Sequence, residues 1–164
     1  MPSEILSVTE IMAILPSTVP RLIELTEGLT TDQLHAPPEP GSWSVNDVLA
    51  HLRACNDVLG GAARRIVTED HPSWRATSPR NWQAKSGYHD LRFRESFGAF
   101  QDGRAELLGV LDALSDGEWE RTASVTVPPR QVYERSVVRY YGAWLAQHER
   151  THIKSLPGII ARVT

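Results

Sequence analysis

At 164 residues, with 41% hydrophobic and 23% charged side chains, the chain has the size of one ordinary globular domain with enough apolar material for a full core. A net charge of −3 without a basic stripe gives no support to nucleic-acid binding, and no apolar run nears the ~18 residues that span a bilayer. The single cysteine, Cys55, rules out an internal disulfide and fits a reducing, cytoplasmic setting, and Met1-Pro-Ser-Glu4 lacks the charged and apolar regions of a secretory leader.

The first apolar pattern, Ile11, Leu15, Val19, Leu22, Leu25 and Leu29, has helical period but crosses Pro16 and Pro20, each costing about 3 kcal/mol inside a helix. The first helix is therefore kinked there, or restarts with Pro20 in its first turn, and Gly28 closes it. Thr30-Thr-Asp-Gln33 has capping-box form for one short turn, before a proline-rich connector from His35 to Gly41.

Ser44-Val-Asn-Asp47 is another capping box, opening a second helix that is expected to run to about Thr68. Its inward stripe is Val45, Val48, Leu49, Leu52, Cys55 and Leu59. The stretch Glu69–Gly87 reads as a long loop without obvious secondary structure, the kind that serves as a lid, a packing flap or a dimer contact. Trp74 and Trp82 within it argue against disorder.

A third helix follows on the seam Phe93, Phe97, Phe100, Arg104, Leu107, Leu111 and Leu114. Its Gly98, Gly103 and Gly109 weaken it, and close packing against a neighbour would account for them. Ser115-Asp-Gly-Glu118 starts a brief turn carrying Trp119. Arg121–Arg135, with Val125-Thr-Val127 and Pro128-Pro129, reads as an extended connection, and the last helix runs from near Ser136 to before Pro157. Four helical patterns with mixed loop lengths give an all-α four-helix bundle, one domain over 1–164, with a long loop between helices two and three and no substantial sheet.

Within the last pattern, Trp144-Leu-Ala-Gln-His148-Glu-Arg-Thr-His152 sets two histidines at i and i+4, on one helical face. The same stripe carries Val137, Tyr141, Trp144 and Leu145, so it faces the core. Two buried imidazoles then need partners, either hydrogen bonds within the core or a divalent metal. His51, on the edge of the second helix's stripe, reads by itself either as a satisfied core histidine or as the candidate third ligand.

A Trp43-Ser44 helix start, a histidine seven residues after the serine, and a late H-x-x-x-H on the last long helix together resemble the DinB/YfiT-like family. The matching stretches are Gly41–Leu52 and Trp144–Ser155, and the order of four helices suits the whole chain. The resemblance implies a four-helix bundle, often a homodimer, that binds a divalent metal through His51, His148 and His152. Family members include transferases or isomerases dependent on mycothiol, bacillithiol or glutathione, and many without an assigned reaction.

Three imidazoles leave coordination positions for water or substrate, the pattern of a catalytic rather than a closed structural site. Imidazole suits zinc, nickel, iron or copper; zinc and nickel are the leading expectations, with iron or manganese behind them. No nucleophile–base couple or phosphate-binding glycine loop competes. Asp47 and Glu149 are read either as solvated carboxylates or as groups orienting a ligand nitrogen. Cys55 is read as a small core residue that could also reach the metal. Arg104 either receives a substrate carboxylate or thiol cofactor, or snorkels to the surface. Trp74 and Trp82 are candidate substrate contacts, and the aromatic loop also offers dimer-interface material.

Two functions follow. One is a metal-dependent enzyme acting on a small molecule, a transferase using a low-molecular-weight thiol or a hydrolase. The other is a non-catalytic metal-binding stress-response or structural protein.

Overall fold

Ser7 begins the described helices with a capping box in which its Oγ accepts from Glu10 N at 3.2 Å and Glu10 returns the bond to Ser7 N at 2.8 Å. The computed structural model describes residues 6–164, apart from the side chains at 137–139. The leader reading of Met1-Pro-Ser-Glu4 and the place of the Val137 side chain in the last helix's stripe lie outside the described residues.

Helix α1 (Val8–Ile14) passes through a 3-10 turn at Leu15–Ser17 into α2 (Thr18–Thr26). Pro16 sits in that tighter turn and Pro20 in the first turn of α2, where a missing N–H costs little. This is the restart rather than an interior kink, and Gly28, at φ 80°, turns the chain after it. The short α3 (Thr31–His35) carries the expected capping box between Thr30 and Gln33.

The second long rod is α4 (Val45–Cys55), a π-helical segment Asn56–Gly60 and α5 (Gly61–Thr68). The third is α7 (Phe93–Asp112) and the fourth is a π-helical segment Val137–Gly142 leading into α9 (Ala143–Val163). Before α7 come β1 (Ser73–Arg75) and α6 (Pro79–Ser86); after it come α8 (Asp116–Trp119), β2 (Thr122–Val127) and β3 (Gln131–Ser136).

Three expectations need correction. The chain between α5 and α7 is not an irregular loop, because Ser78 caps a helix with Pro79 at its first position and Gly87 ends it at φ 67°. The connection before the last helix is not merely extended. Its β2 alternates buried Ala123 and Val125 with less buried neighbours, and forms a small three-stranded sheet, parallel to β1 and antiparallel to β3. Finally, α9 does not stop at Pro157 but continues to Val163. Leu156 is fully buried and Ile159 and Ile160 pack on the same cluster, and that burial, worth about 1.5–3 kcal/mol for a fully buried side chain, offsets the proline's cost.

Close packing explains only one of the three α7 glycines. A Cβ at Gly103 would meet Asn56 at 3.2 Å, whereas Gly98 and Gly109 face open space. The tighter contact is on the other rod, where a Cβ at Gly60 would lie 2.8 Å from Leu107.

Two apolar clusters fill the bundle. One gathers Leu15, Leu59, Leu107 and Leu145; the other gathers Leu22, Leu52, Phe100 and Leu156. In each rod a polar residue falls between members of the two clusters: Thr18, Asn56, Arg104 and Glu149, all buried. They join in one network. Arg104 forms an ion pair with Glu149, and also donates to Asn56 Oδ1 at 3.0 Å and the Leu15 carbonyl at 3.0 Å; Thr18 Oγ1 donates to Glu149 at 2.7 Å. This buried polar layer links all four rods.

Candidate metal centre

His51 reaches the interior because the Ser44 capping box fixes where α4 begins, with Ser44 Oγ accepting from Asp47 N at 3.1 Å and Asp47 Oδ2 accepting from Ser44 N at 2.9 Å. Asp47 is committed to that cap, so it does not orient His51. Two turns on, His51 is 3% exposed. His148 and His152, one turn apart on α9 and half-buried, point to the same place from the facing rod.

The three Nε2 atoms converge. His51 Nε2 lies 2.8 Å from His148 Nε2, and His152 Nε2 lies 3.1 Å from His148 Nε2. One ligand atom from each lies within 4.8 Å of the others, so the three could hold a metal ion. Gln83, on α6, accepts from His51 Nδ1–H through Oε1 at 3.0 Å. An amide oxygen only accepts, so this contact places the ring proton on Nδ1 and leaves the Nε2 lone pair aimed at the other two rings. Three nitrogens facing one point cannot each find a proton donor among themselves. A cation satisfies them together, and the donor set therefore fits a divalent metal.

Electrostatics point the same way. Burial lowers the pKa of all three imidazoles below the ordinary histidine value and Arg80 adds to this at each; neighbouring imidazoles lower His51 and His152 further, while the Gln83 hydrogen bond partly opposes the shift at His51. His152 is brought to about 4. Near neutral pH they are uncharged, the form that ligates. Trp43 walls the cluster, stacked on His152 at 5.9 Å between centroids and tilted over His51 at 5.1 Å.

Cys55 is buried one turn after His51, with Sγ 3.6 Å from His51 Nε2. Burial, reinforced by Glu149, pushes its thiol far above the ordinary range, as expected of a core cysteine. Two readings of charged residues need correction. Glu149 is neither solvated nor aimed at His148; it is fully buried against Arg104. Arg104, 2% exposed, neither snorkels nor offers a free guanidinium to a substrate, since Glu149, Asn56 and the Leu15 carbonyl occupy it.

Trp74 and Trp82 line a cavity of about 800 Å³. None of the three histidines is in its wall, although Trp144, one turn before His148, is. Helix α6 stands between the two: Asn81 and Trp82 line the cavity while Gln83 holds His51. The tryptophan segment folds back onto the second rod, with Trp82 Nε1 donating to Asp57 at 3.0 Å. The remaining histidines are elsewhere. His35 Nε2 accepts from Phe93 N at 3.2 Å, His71 meets Ser124 and Glu134 on the sheet, and His89 lies beside Asp90. Gln83 and Trp43 are the site residues that spacing alone did not single out.

The DinB superfamily model matches residues 17–156. Among solved structures, YfiT from Bacillus subtilis, described as a probable metal-dependent hydrolase with an unusual four-helix bundle topology, superposes with a TM-score of 0.75 at 20% identity, covering 99% of this chain and 92% of that one. A mycothiol-dependent maleylpyruvate isomerase gives a TM-score of 0.59 at 9% identity over 96% of this chain and 61% of its own. A histidine-to-alanine mutant described under the same enzyme name gives 0.62 at 13% identity over 96% and 68%. These likenesses establish the fold. No curated protein sequence matches.

Proposed function

The chain belongs to the DinB superfamily, and on that premise we propose that it is a metal-dependent enzyme acting on a small molecule, of the thiol-dependent transferase or hydrolase type. The observation that carries this reading is the convergence of His51, His148 and His152, with one ligand atom from each inside 4.8 Å. Zinc or nickel suits such a set best, with iron or manganese next. A divalent metal held there supplies a Lewis acid able to lower the pKa of a water or thiol.

The chain's own groups supply the rest. Neutral imidazoles are ready to ligate without first losing a proton. Gln83 holds the tautomer of His51, and Trp43 shields one side of the rings. Trp74 and Trp82 are assigned contacts to the body of the substrate or thiol, in the cavity that shares Trp144 with the metal-bearing helix. The probable metal-dependent hydrolase and the mycothiol-dependent isomerase that share this fold are consistent with a metal- or thiol-dependent reaction.

The test is metal content of chelator-stripped, reloaded protein, followed by activity screening against thiol adducts and small esters and amides. One divalent ion per chain is expected for wild type, and far less for His51→Ala, His148→Ala and His152→Ala. Equal content in all four would overturn the reading.

A second reading, a non-catalytic stress-response or structural protein using the metal for stability, has one observation in its favour. Cys55 Sγ, 3.6 Å from His51 Nε2, offers a fourth ligand that would close the site. Against it, Cys55 packs in the apolar cluster with Leu59 and Leu145, as a core cysteine does, which favours the enzyme.

A further inference from the structure

The cavity beside α6 has the size of a small-molecule site, about 800 Å³, within the usual range of about 300–1,000 Å³. Its apolar wall is aromatic, dominated by Trp74, Trp82 and Trp144. Its charged groups are four arginines, Arg64, Arg65, Arg75 and Arg135, against one carboxylate, Asp57.

The balance of partners within that set is the informative part. Arg64 pairs with Glu106 and Arg65 with Glu69. Asp57 already accepts from Trp82 Nε1 and from the Tyr88 hydroxyl. Arg75 and Arg135 have no carboxylate partner among the described residues. Arg135 is half-buried, its guanidinium 4.0 Å over the Tyr140 ring and in contact with the Tyr141 side chain. Among the described residues, this cation, partly withdrawn from water, meets π faces and a phenol but no counter-charge. An anion entering the cavity supplies that charge, and a flat body beside it meets the indole rings.

We propose that this cavity binds an anionic small molecule with an aromatic or similarly flat body, its carboxylate, sulfonate or phosphate received by Arg135 and Arg75 and its body by the three tryptophans. This deepens the enzymatic reading by naming the chemistry of its substrate or co-substrate. It stands on the cavity, however, and requires no metal at the histidines.

The probes are anilinonaphthalene sulfonate and its uncharged relative phenylnaphthylamine, which share a ring system but differ in the anion. Each is titrated into the full-length protein, both metal-stripped and zinc-reloaded, with energy transfer from tryptophan as the readout. The sulfonate binds more tightly to wild type, and Arg135→Gln weakens it by about tenfold or more, as loss of a charge-assisted bond does. Arg135→Lys recovers part of that loss. Arg75→Gln, at an exposed position, also weakens the sulfonate, and the uncharged probe is unaffected by either change. Equal affinity for the two probes in wild type, or equal loss of both in Arg75→Gln and Arg135→Gln, overturns the proposal. Charge discrimination in a protein that takes up no metal would leave this site standing and remove the metal reading. Metal uptake without discrimination would do the reverse.

Discussion

Arg104 and Glu149 form an ion pair at the centre of the bundle, with side chains 2% and 0% exposed. Glu149 follows His148 directly, so the pair that anchors α9 across the core also fixes the rotation that presents His148 and His152 to His51. Removing one partner strands a buried charge, so Glu149→Ala should lower stability by about 3–5 kcal/mol. The double change Arg104→Met with Glu149→Leu should recover most of that loss. Urea unfolding with an unchanged m-value checks both. A single variant within about 0.5 kcal/mol of wild type would mean that the pair is solvated in solution.

What was legible in the sequence was local. Ser44 and Asp47 announce the start of α4, and the i,i+4 spacing of His148 and His152 announces a shared face, because both signals lie within one or two turns. The partners of those residues are remote. Gln83 is 32 residues from His51 and Arg104 is 45 from Glu149, so Glu149 looked like surface charge and Arg104 like a loose cation. Pro157 shows the opposite failure. A valid local rule predicted a stop, and the burial of Leu156, Ile159 and Ile160 overrode it. Helix α6 was readable: Ser78 before Pro79 is a cap followed by a first-turn proline, with Gly87 as the stop. The alternation of Ala123 and Val125 likewise signals the strand β2.

The protein is expected to be a homodimer. Strand β3 lies at the edge of the small sheet and exposes Val132 at 63% and Tyr133 at 45%, apolar surface on an edge strand. Light scattering should return twice the 18.3 kDa chain mass, and Val132→Lys with Tyr133→Lys should shift it to the monomer. A monomeric wild type at high micromolar concentration sinks this expectation.

Cys55 is expected to be a core residue and not a ligand. Cys55→Ser should leave metal affinity unchanged, and the native thiol should resist a disulfide reagent until the protein unfolds. A large drop in affinity in the serine variant would instead make the site four-coordinate and favour the structural reading.

The metal-free protein should lose stability on mild acidification. Burial holds the folded-state pKa of His51, His148 and His152 below the ordinary value, with His152 at about 4. Between that value and the unfolded one, about 6.5, the unfolded chain binds more protons, so stability rises with pH. The stabilisation is complete above about pH 6.5 and is lost as pH falls toward about 4. Thermal melts of chelated wild type against His152→Phe isolate the contribution, because the carboxylates are common to both. Parallel pH profiles in the two proteins would contradict the burial of this imidazole.

Gln83 is the test of whether the site is organised or merely crowded. Its Oε1 accepts a hydrogen bond from His51 Nδ1–H at 3.0 Å, which leaves one tautomer with its Nε2 lone pair inward. Gln83→Leu removes that acceptor, so His51 is free to place its proton on Nε2 and must give it up before ligating. Metal affinity, read by competition with a chelating dye, should fall by about 10–100-fold, the usual effect of losing a group that orients a ligand. Gln83→Glu keeps an acceptor for the same proton and should retain most of the affinity. Gln83 sits on a short, half-exposed helix, so the melting temperature of the metal-free protein should barely move in either variant. Unchanged affinity in Gln83→Leu would show that the triad selects its own tautomer. A matching loss in both variants would show instead that the site depends on the position of α6 and not on the hydrogen bond.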